Sequence, residues 1–309
     1  MVGGRRARRR LPFALALSVA FSWACTPPEE KAAEAGAAAA EASAGGKLPL
    51  PSDADMIKEA KGVGLGELTE PQTTSFFQII NTEVSPCKRS ESLAKSLRDD
   101  DKCRDSMVVS QFIADSLASG ASTTQIKGAL DRIVDALTPK EIPVKGRPSY
   151  GSDNAPVTVV VFADFECPHC RAEAPKLRQT IDQFKGRARL VYKHFPLDFH
   201  EFSTQAAIAT EAALDQGKFW EMHDIVFANS SALTDADLLR YAGEIGLDVA
   251  KFKASLAKPE AAKRVSTDRK DGETLGLSGT PTVYVNGRLM NNILFGGSLA
   301  GWIDDALKR

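Results

Sequence analysis

The chain is short of several things. Aromatic side chains make up 7% of its 309 residues, and there are four histidines and five cysteines. No second CxxC and no closely spaced Cys/His set accompanies the one CxxC at 167–170. That excludes the four-ligand arrangement of a structural zinc site, and no metal is expected. Charge of one sign is not in excess, with 39 Lys+Arg against 40 Asp+Glu, so the electrostatic footprint of a nucleic-acid binder is missing and no nucleic-acid partner is expected. No apolar run comfortably spans a bilayer: the stretch from Leu11 to Ala24 is too short.

That stretch has another reading. Arg5, Arg6, Arg8, Arg9 and Arg10 precede it, and a basic segment followed by a short apolar one is the pattern of a secretory signal, here residues 1–24. Ser22-Trp23-Ala24-Cys25 resembles the end of a bacterial lipoprotein signal, except that Ser22 stands where an aliphatic residue is usual. The resemblance implies lipidation of Cys25 and a periplasmic or extracytoplasmic protein tethered to a membrane. An ordinary signal peptide or an uncleaved anchor would leave Cys25 removed or incidental. Cleavage would remove five positive charges and no acids, leaving the mature chain at a net −6. It would also leave Cys87, Cys103, Cys167 and Cys170, enough for two pairs in an oxidising compartment. One pair would be a structural disulfide between Cys87 and Cys103, the alternative being two buried free thiols.

Composition then divides the remainder. Residues 25–52 are rich in Ala, Glu, Gly and Pro with hardly any large apolar side chains, so they should form a flexible tether. Residues 53–138 read as an α-helical domain: Ile126, Leu130, Ile133, Val134 and Leu137 lay one apolar stripe with Thr124 as the expected cap, and a second helix is expected from Lys102 to Ala118 with Gly120 ending it. The stretch from Cys87 through Ser92-Leu93-Ala94 to Leu130 is similar to the small helical thiol domain of cytochrome c maturation proteins, but has one cysteine where that family has CxxC. Pro139, Pro143, Gly146 and Pro148 mark a linker over 139–149. Residues 150–309 are long enough for one well-buried core.

The chemistry concentrates in this last domain. Cys167-Pro168-His169-Cys170 directly follows the apolar run Val157-Thr158-Val159-Val160-Val161-Phe162, placing two thiols where a buried strand hands over to a helix. Cys167, at an exposed helix start where unpaired N–H groups and the dipole favour a thiolate, is the expected nucleophile. Cys170, three residues on, lies on the same face and suits the resolving role. Pro168 removes only a donor that a helix start leaves unpaired, and His169 can add positive charge or a donor. Arg189 to His194 reads as a second strand, residues 201–276 as several helices, and Thr280-Pro281 leads into a hairpin turned by Asn286-Gly287. Ser298 is the expected cap of a last helix. Of the remaining histidines, His194 reads as a core group, His200 as a loop residue and His223 as a helix-packing residue. Phe219, Trp220 and Phe227 would line an apolar groove.

Phe165-Glu166-Cys167-Pro168-His169-Cys170, Lys193-His194-Phe195-Pro196-Leu197, Lys218-Phe219-Trp220 through His223, and Ser278-Gly279-Thr280-Pro281-Thr282 together resemble the DsbA-like branch of the thioredoxin fold. The fold class implied is α/β, a thioredoxin-like fold with a helical insertion at about 201–276, preceded by the small α-helical domain. The resemblance implies a thiol:disulfide oxidoreductase without a cofactor. It places a cis Thr280-Pro281 against the two cysteines, where Thr280 and Pro281 would bind extended or unfolded cysteine-containing protein substrates, and it implies a membrane redox partner. Pro175 matches the proline that bends the active-site helix. Relatives commonly carry a buried acid six residues before the first cysteine, where this chain has Val161. The leading expectation is an exported enzyme donating or exchanging disulfides through Cys167 and Cys170. Alternatives are a reductase or isomerase using the same pair, or a non-enzymatic lipoprotein chaperone.

Overall fold

The structure, a computed structural model, describes residues 55–100 and 102–309 together with Leu48, Pro51 and Ser52. The signal, Cys25 and nearly all of the tether lie outside the described residues.

Among the described residues, four helices come first: α1 (Glu70–Thr82), α2 (Leu93–Asp99), α3 (Arg104–Ala118) and α4 (Thr123–Leu137). They bury Phe76, Ile80, Leu93, Val109, Ile113, Leu130 and Ile133 among themselves, each contributing on the order of 1.5–3 kcal/mol as area removed from water. The cap of α4 is Ser122 rather than Thr124. Ser122 Oγ accepts from Gln125 N at 3.3 Å while Gln125 Oε1 accepts from Ser122 N at 2.9 Å, and this reciprocal pair starts the helix early enough to put Thr124 in its first turn. Helix α3 begins at Arg104 rather than Lys102, with Cys103 as the residue before it. Cys103 is bonded to Cys87, with a Cα–Cα separation of 6.0 Å.

A five-stranded sheet follows, in the order β1-β3-β2-β4-β5. Its strands are β1 (Ser149–Gly151), β2 (Val157–Ala163), β3 (Ala188–His194), β4 (Thr282–Val285) and β5 (Arg288–Leu289). Only β2 and β3 pair in parallel, with Val161 opposite Tyr192; the pairings β1–β3, β2–β4 and β4–β5 are antiparallel. The central strand β2 is covered on both faces, which is why its apolar residues run without alternation. On one face Val159 and Val161 join the main core; on the other Val160 and Phe162 cluster with Val191, Phe195 and Tyr284. Ile142 and Val144, within the segment read as a linker, pack over this second cluster. Strand β1 was not legible, since three residues at a sheet edge carry no period.

Helix α5 (Pro168–Gln183) connects β2 to β3 and continues through Pro175. Five helices separate β3 from β4: α6 (Ser203–Leu214), α7 (Phe219–Ala228), α8 (Asp235–Glu244), α9 (Val249–Leu256) and α10 (Pro259–Thr274). Helix α11 (Leu299–Ala306), capped by the Ser298 hydroxyl at 3.2 Å from Gly301 N, closes the chain. The β4–β5 turn places Asn286 and Gly287 at φ 46° and 79°, the left-handed conformations that this turn requires.

Charged residues tie the parts together. Arg288 is buried between Asp105 of α3 (3.3 Å) and Asp305 of α11 (2.7 Å), and Arg309 reaches both acids. A second buried set gathers His194, Glu211 and Asp268 within 4.8 Å of one another. Arg147, Lys193 and Arg264 already pair with these acids, so the cluster is an ion-pair network in which cations hold the places a metal would take.

Candidate active site

Cys167 is the residue before α5, and Cys170 lies in its first turn. Both are reduced and buried, at 4% and 2% exposure, while Pro168 and His169 between them face solvent. The burial of Cys167 departs from the exposed helix start expected of it. Part of the cover is Thr280, whose carbonyl oxygen accepts from Cys167 Sγ at 3.3 Å. The Thr280–Pro281 peptide is cis. The structure thus brings Cys167, Cys170, Thr280 and Pro281 together from two separate segments of the chain.

Burial pushes the Cys170 thiol up to about 12, partly offset by hydrogen bonding to Thr280 and to the Asp164 backbone. The second cysteine therefore keeps its proton until something removes it.

The turn carrying Cys167 is held by Asp164, a residue that sequence reading left without a role. Its backbone oxygen accepts from Cys167 N at 3.2 Å. Its carboxylate, 1% exposed, accepts from Glu166 N, Leu197 N and His200 Nδ1, each at 2.8 Å. His200 does lie in a loop, and that loop is fastened to the active-site turn. Glu166 Oε2 adds a bond from Phe202 N at 2.6 Å. The available signal was an acid three residues before the CxxC, too common a pattern to single out.

The aromatic residues expected to line an open groove turn inward instead. Phe219 and Phe227 are 2% and 4% exposed, and Trp220 donates its Nε1–H to the Ser149 carbonyl at 2.9 Å. Phe219 and Phe227 pack around Tyr192 and His223, so these rings are buried against one another and against β3 rather than lining a groove. A cleft of ≈ 530 Å³ does open between α5 and α7, lined by Tyr150, Arg171, Pro175, Arg178, His223 and Asp224 among others. His194, buried, pairs its Nε2 with Glu211 at 3.0 Å.

Two thiols at the start of a helix leaving the central strand of a mixed sheet, with a Thr-Pro loop against the first of them, define a thioredoxin fold carrying a CxxC pair. Residues 144–305 match the family model described as Thioredoxin, and the chain belongs to that family. Among solved structures it is similar to a thioredoxin-like oxidoreductase from Silicibacter pomeroyi DSS-3, at 30% identity over 53% of this chain and 92% of that one, with a TM-score of 0.47. It is similar also to oxidised BdbD from Bacillus subtilis, at 28% identity over 55% and 98%, with a TM-score of 0.49. Among curated proteins it is 41% identical over 177 residues to Na(+)/H(+) antiporter NhaA 3 of Salinispora tropica, covering 57% of this chain and 27% of that protein. The chain spans about a quarter of the length of the curated relatives it matches. No helix among the described residues is long and apolar enough to cross a membrane.

Proposed function

We propose that this protein exchanges disulfides with cysteine-containing proteins outside the cytoplasm, using Cys167 as nucleophile and Cys170 as the resolving thiol. The observation that carries the proposal is the placement of Cys167 Sγ at the N-terminus of α5, 3.3 Å from the Thr280 carbonyl, with a protonated second thiol one turn away. A substrate thiol attacks the Cys167–Cys170 disulfide at Cys167 and forms a mixed disulfide; a second substrate thiol then releases the new substrate disulfide and leaves both enzyme cysteines reduced. Extended substrate backbone alongside Thr280 would bring the reacting sulfur to Cys167. Pro168 and His169, exposed on the approach side, shape the entrance. The basic and apolar N-terminal pattern and the Cys87–Cys103 bridge support an oxidising compartment, and the lipid anchor on Cys25 and a membrane protein that reoxidises the pair complete the reading.

The experiment is oxidation of a reduced cysteine-pair peptide by the oxidised protein, followed by equilibration of Cys167–Cys170 with glutathione to fix its potential. Stoichiometric peptide oxidation, lost in Cys167→Ala, is the expected result. Unchanged peptide thiols, or full activity in Cys167→Ala, would refute the assignment.

A further inference from the structure

The resolving step needs a base, because Cys170 is buried and keeps its proton. A small cavity abuts this residue, with ≈ 10 Å³ for the centre of a water-sized sphere, room for about one water molecule. The central strand gives it only apolar walls, Val161 and Ala163. Its polar walls come from elsewhere: Tyr192 of β3, His223 of α7 and Glu173 of α5. Tyr192 Oη is buried and has no hydrogen-bond partner, although a phenol in a core ordinarily finds one. Its ring centroid lies 5.2 Å from that of His223.

His223 has the attributes of a base. It is 3% exposed, and its Nδ1 lies 2.9 Å from Asp224 Oδ1. With Nδ1–H donated to that carboxylate, Nε2 keeps its lone pair, the arrangement of an oriented general base. The same imidazole also borders the ≈ 530 Å³ cleft between α5 and α7, so it touches both the small cavity beside Cys170 and an open route to solvent.

We propose that His223, oriented by Asp224, accepts the Cys170 proton across this cavity, with the Tyr192 hydroxyl anchoring the water that bridges them. The proposal rests on the exchange reading above. In the resolving step the Cys170 proton passes to His223 Nε2 and the Cys170 sulfur attacks Cys167 Sγ of the mixed disulfide. The Cys167–Cys170 bond forms, the bond from Cys167 to the other sulfur breaks, and the electron pair leaves on that sulfur as a thiolate. The enzyme pair is oxidised, the released thiol is reduced, and the imidazolium returns its proton to solvent through the cleft. When a substrate thiol instead opens the enzyme disulfide, the protonated imidazole returns the proton to Cys170.

The groups facing His223 set its titration. Asp224 is on its own helix, Cys170, Glu173 and Arg178 are on α5, and Tyr192 and His194 are on β3. Burial holds the imidazole below its ordinary 6.5, and Asp224 partly offsets this while Arg178 and His194 add to it. The base is therefore in its neutral, accepting form at neutral pH. Resolution should slow as pH falls through a point below 6.5.

The test mixes the reduced full chain with oxidised glutathione, quenches with acid at intervals, and follows reduced, glutathionylated and internally bonded forms by mass from pH 4.5 to 8. His223→Gln should slow conversion of the glutathionylated form at least tenfold at pH 7 and abolish its acid limb, with formation of that form changed less than twofold. Asp224→Asn, at a half-exposed position, should keep the fold and move the limb to lower pH, since the carboxylate holds the imidazole up and its loss also leaves Arg178 free to depress it further. Resolution in His223→Gln within twofold of wild type would overturn the proposal. So would an unmoved limb in Asp224→Asn, which decides the matter should His223→Gln fail to fold. Wild-type protein that never becomes glutathionylated would overturn the exchange reading itself, and the relay with it.

Discussion

Replacing Asp164 by Ala probes how the active-site turn is held. The carboxylate accepts three hydrogen bonds of 2.8 Å, from Glu166 N, Leu197 N and His200 Nδ1, and is itself buried. At about 1 kcal/mol net each, the typical value for a hydrogen bond and below the range for bonds to a charged group, their loss costs about 3 kcal/mol, and unpaired N–H groups of Glu166 and Leu197 add to it. In a chain of 309 residues that corresponds to a fall in melting temperature of roughly 5 °C. Asp164→Asn should cost less, because one oxygen can still accept from Leu197 and His200 while the Glu166 bond is lost. Loosening the turn that presents Cys167 should also slow its reaction with oxidised glutathione. The assays are thermal unfolding by circular dichroism and the rate of glutathionylation. Melting within about 2 °C of wild type in Asp164→Ala would refute the reasoning, since 3 kcal/mol cannot be lost at so small a shift.

Other consequences follow from single residues. With its thiol pushed up to about 12, Cys170 is ionised at pH 8 in roughly one molecule in ten thousand, so iodoacetamide should leave it unmodified in the folded reduced protein and label it after denaturation; labelling of both cysteines at equal rates would contradict its burial. In Cys170→Ala the mixed disulfides of Cys167 with substrates should persist and be visible on non-reducing gels, whereas Cys167→Ala should show none. Removing both Cys87 and Cys103 as serines opens a loop with a sequence separation of 16, an expected loss of about 3 kcal/mol by loop-closure entropy, measured by urea unfolding. Gly287→Ala sets a Cβ 2.4 Å from the Lys140 carbonyl oxygen at φ 79°, so it should lower stability by about 2 kcal/mol or more through clash and strain; an unchanged urea midpoint would count against this geometry.

The sequence by itself determined the main elements and where the CxxC stands between them. The CxxC after an apolar run located the strand and helix, since a strand buried on both faces needs uninterrupted apolar residues and a helix start tolerates Pro168. Asn286-Gly287 located the hairpin because few other residues accept its left-handed backbone. The apolar stripe of α4 was legible at helical spacing, although its cap was displaced by two residues, because Ser122, Thr123 and Thr124 are alike in kind and only the bond to Gln125 separates them. Tertiary structure decided what these elements enclose. Cys167 became buried when the Thr280 loop, more than a hundred residues away, closed over it. Asp164, Tyr192 and His223 acquired their places through contacts with β3, α5 and α7, which no local pattern encodes. Local preference sets where a helix or a turn begins, but burial and proton affinity depend on which distant side chains displace water from a group, and that is settled only when the chain is folded.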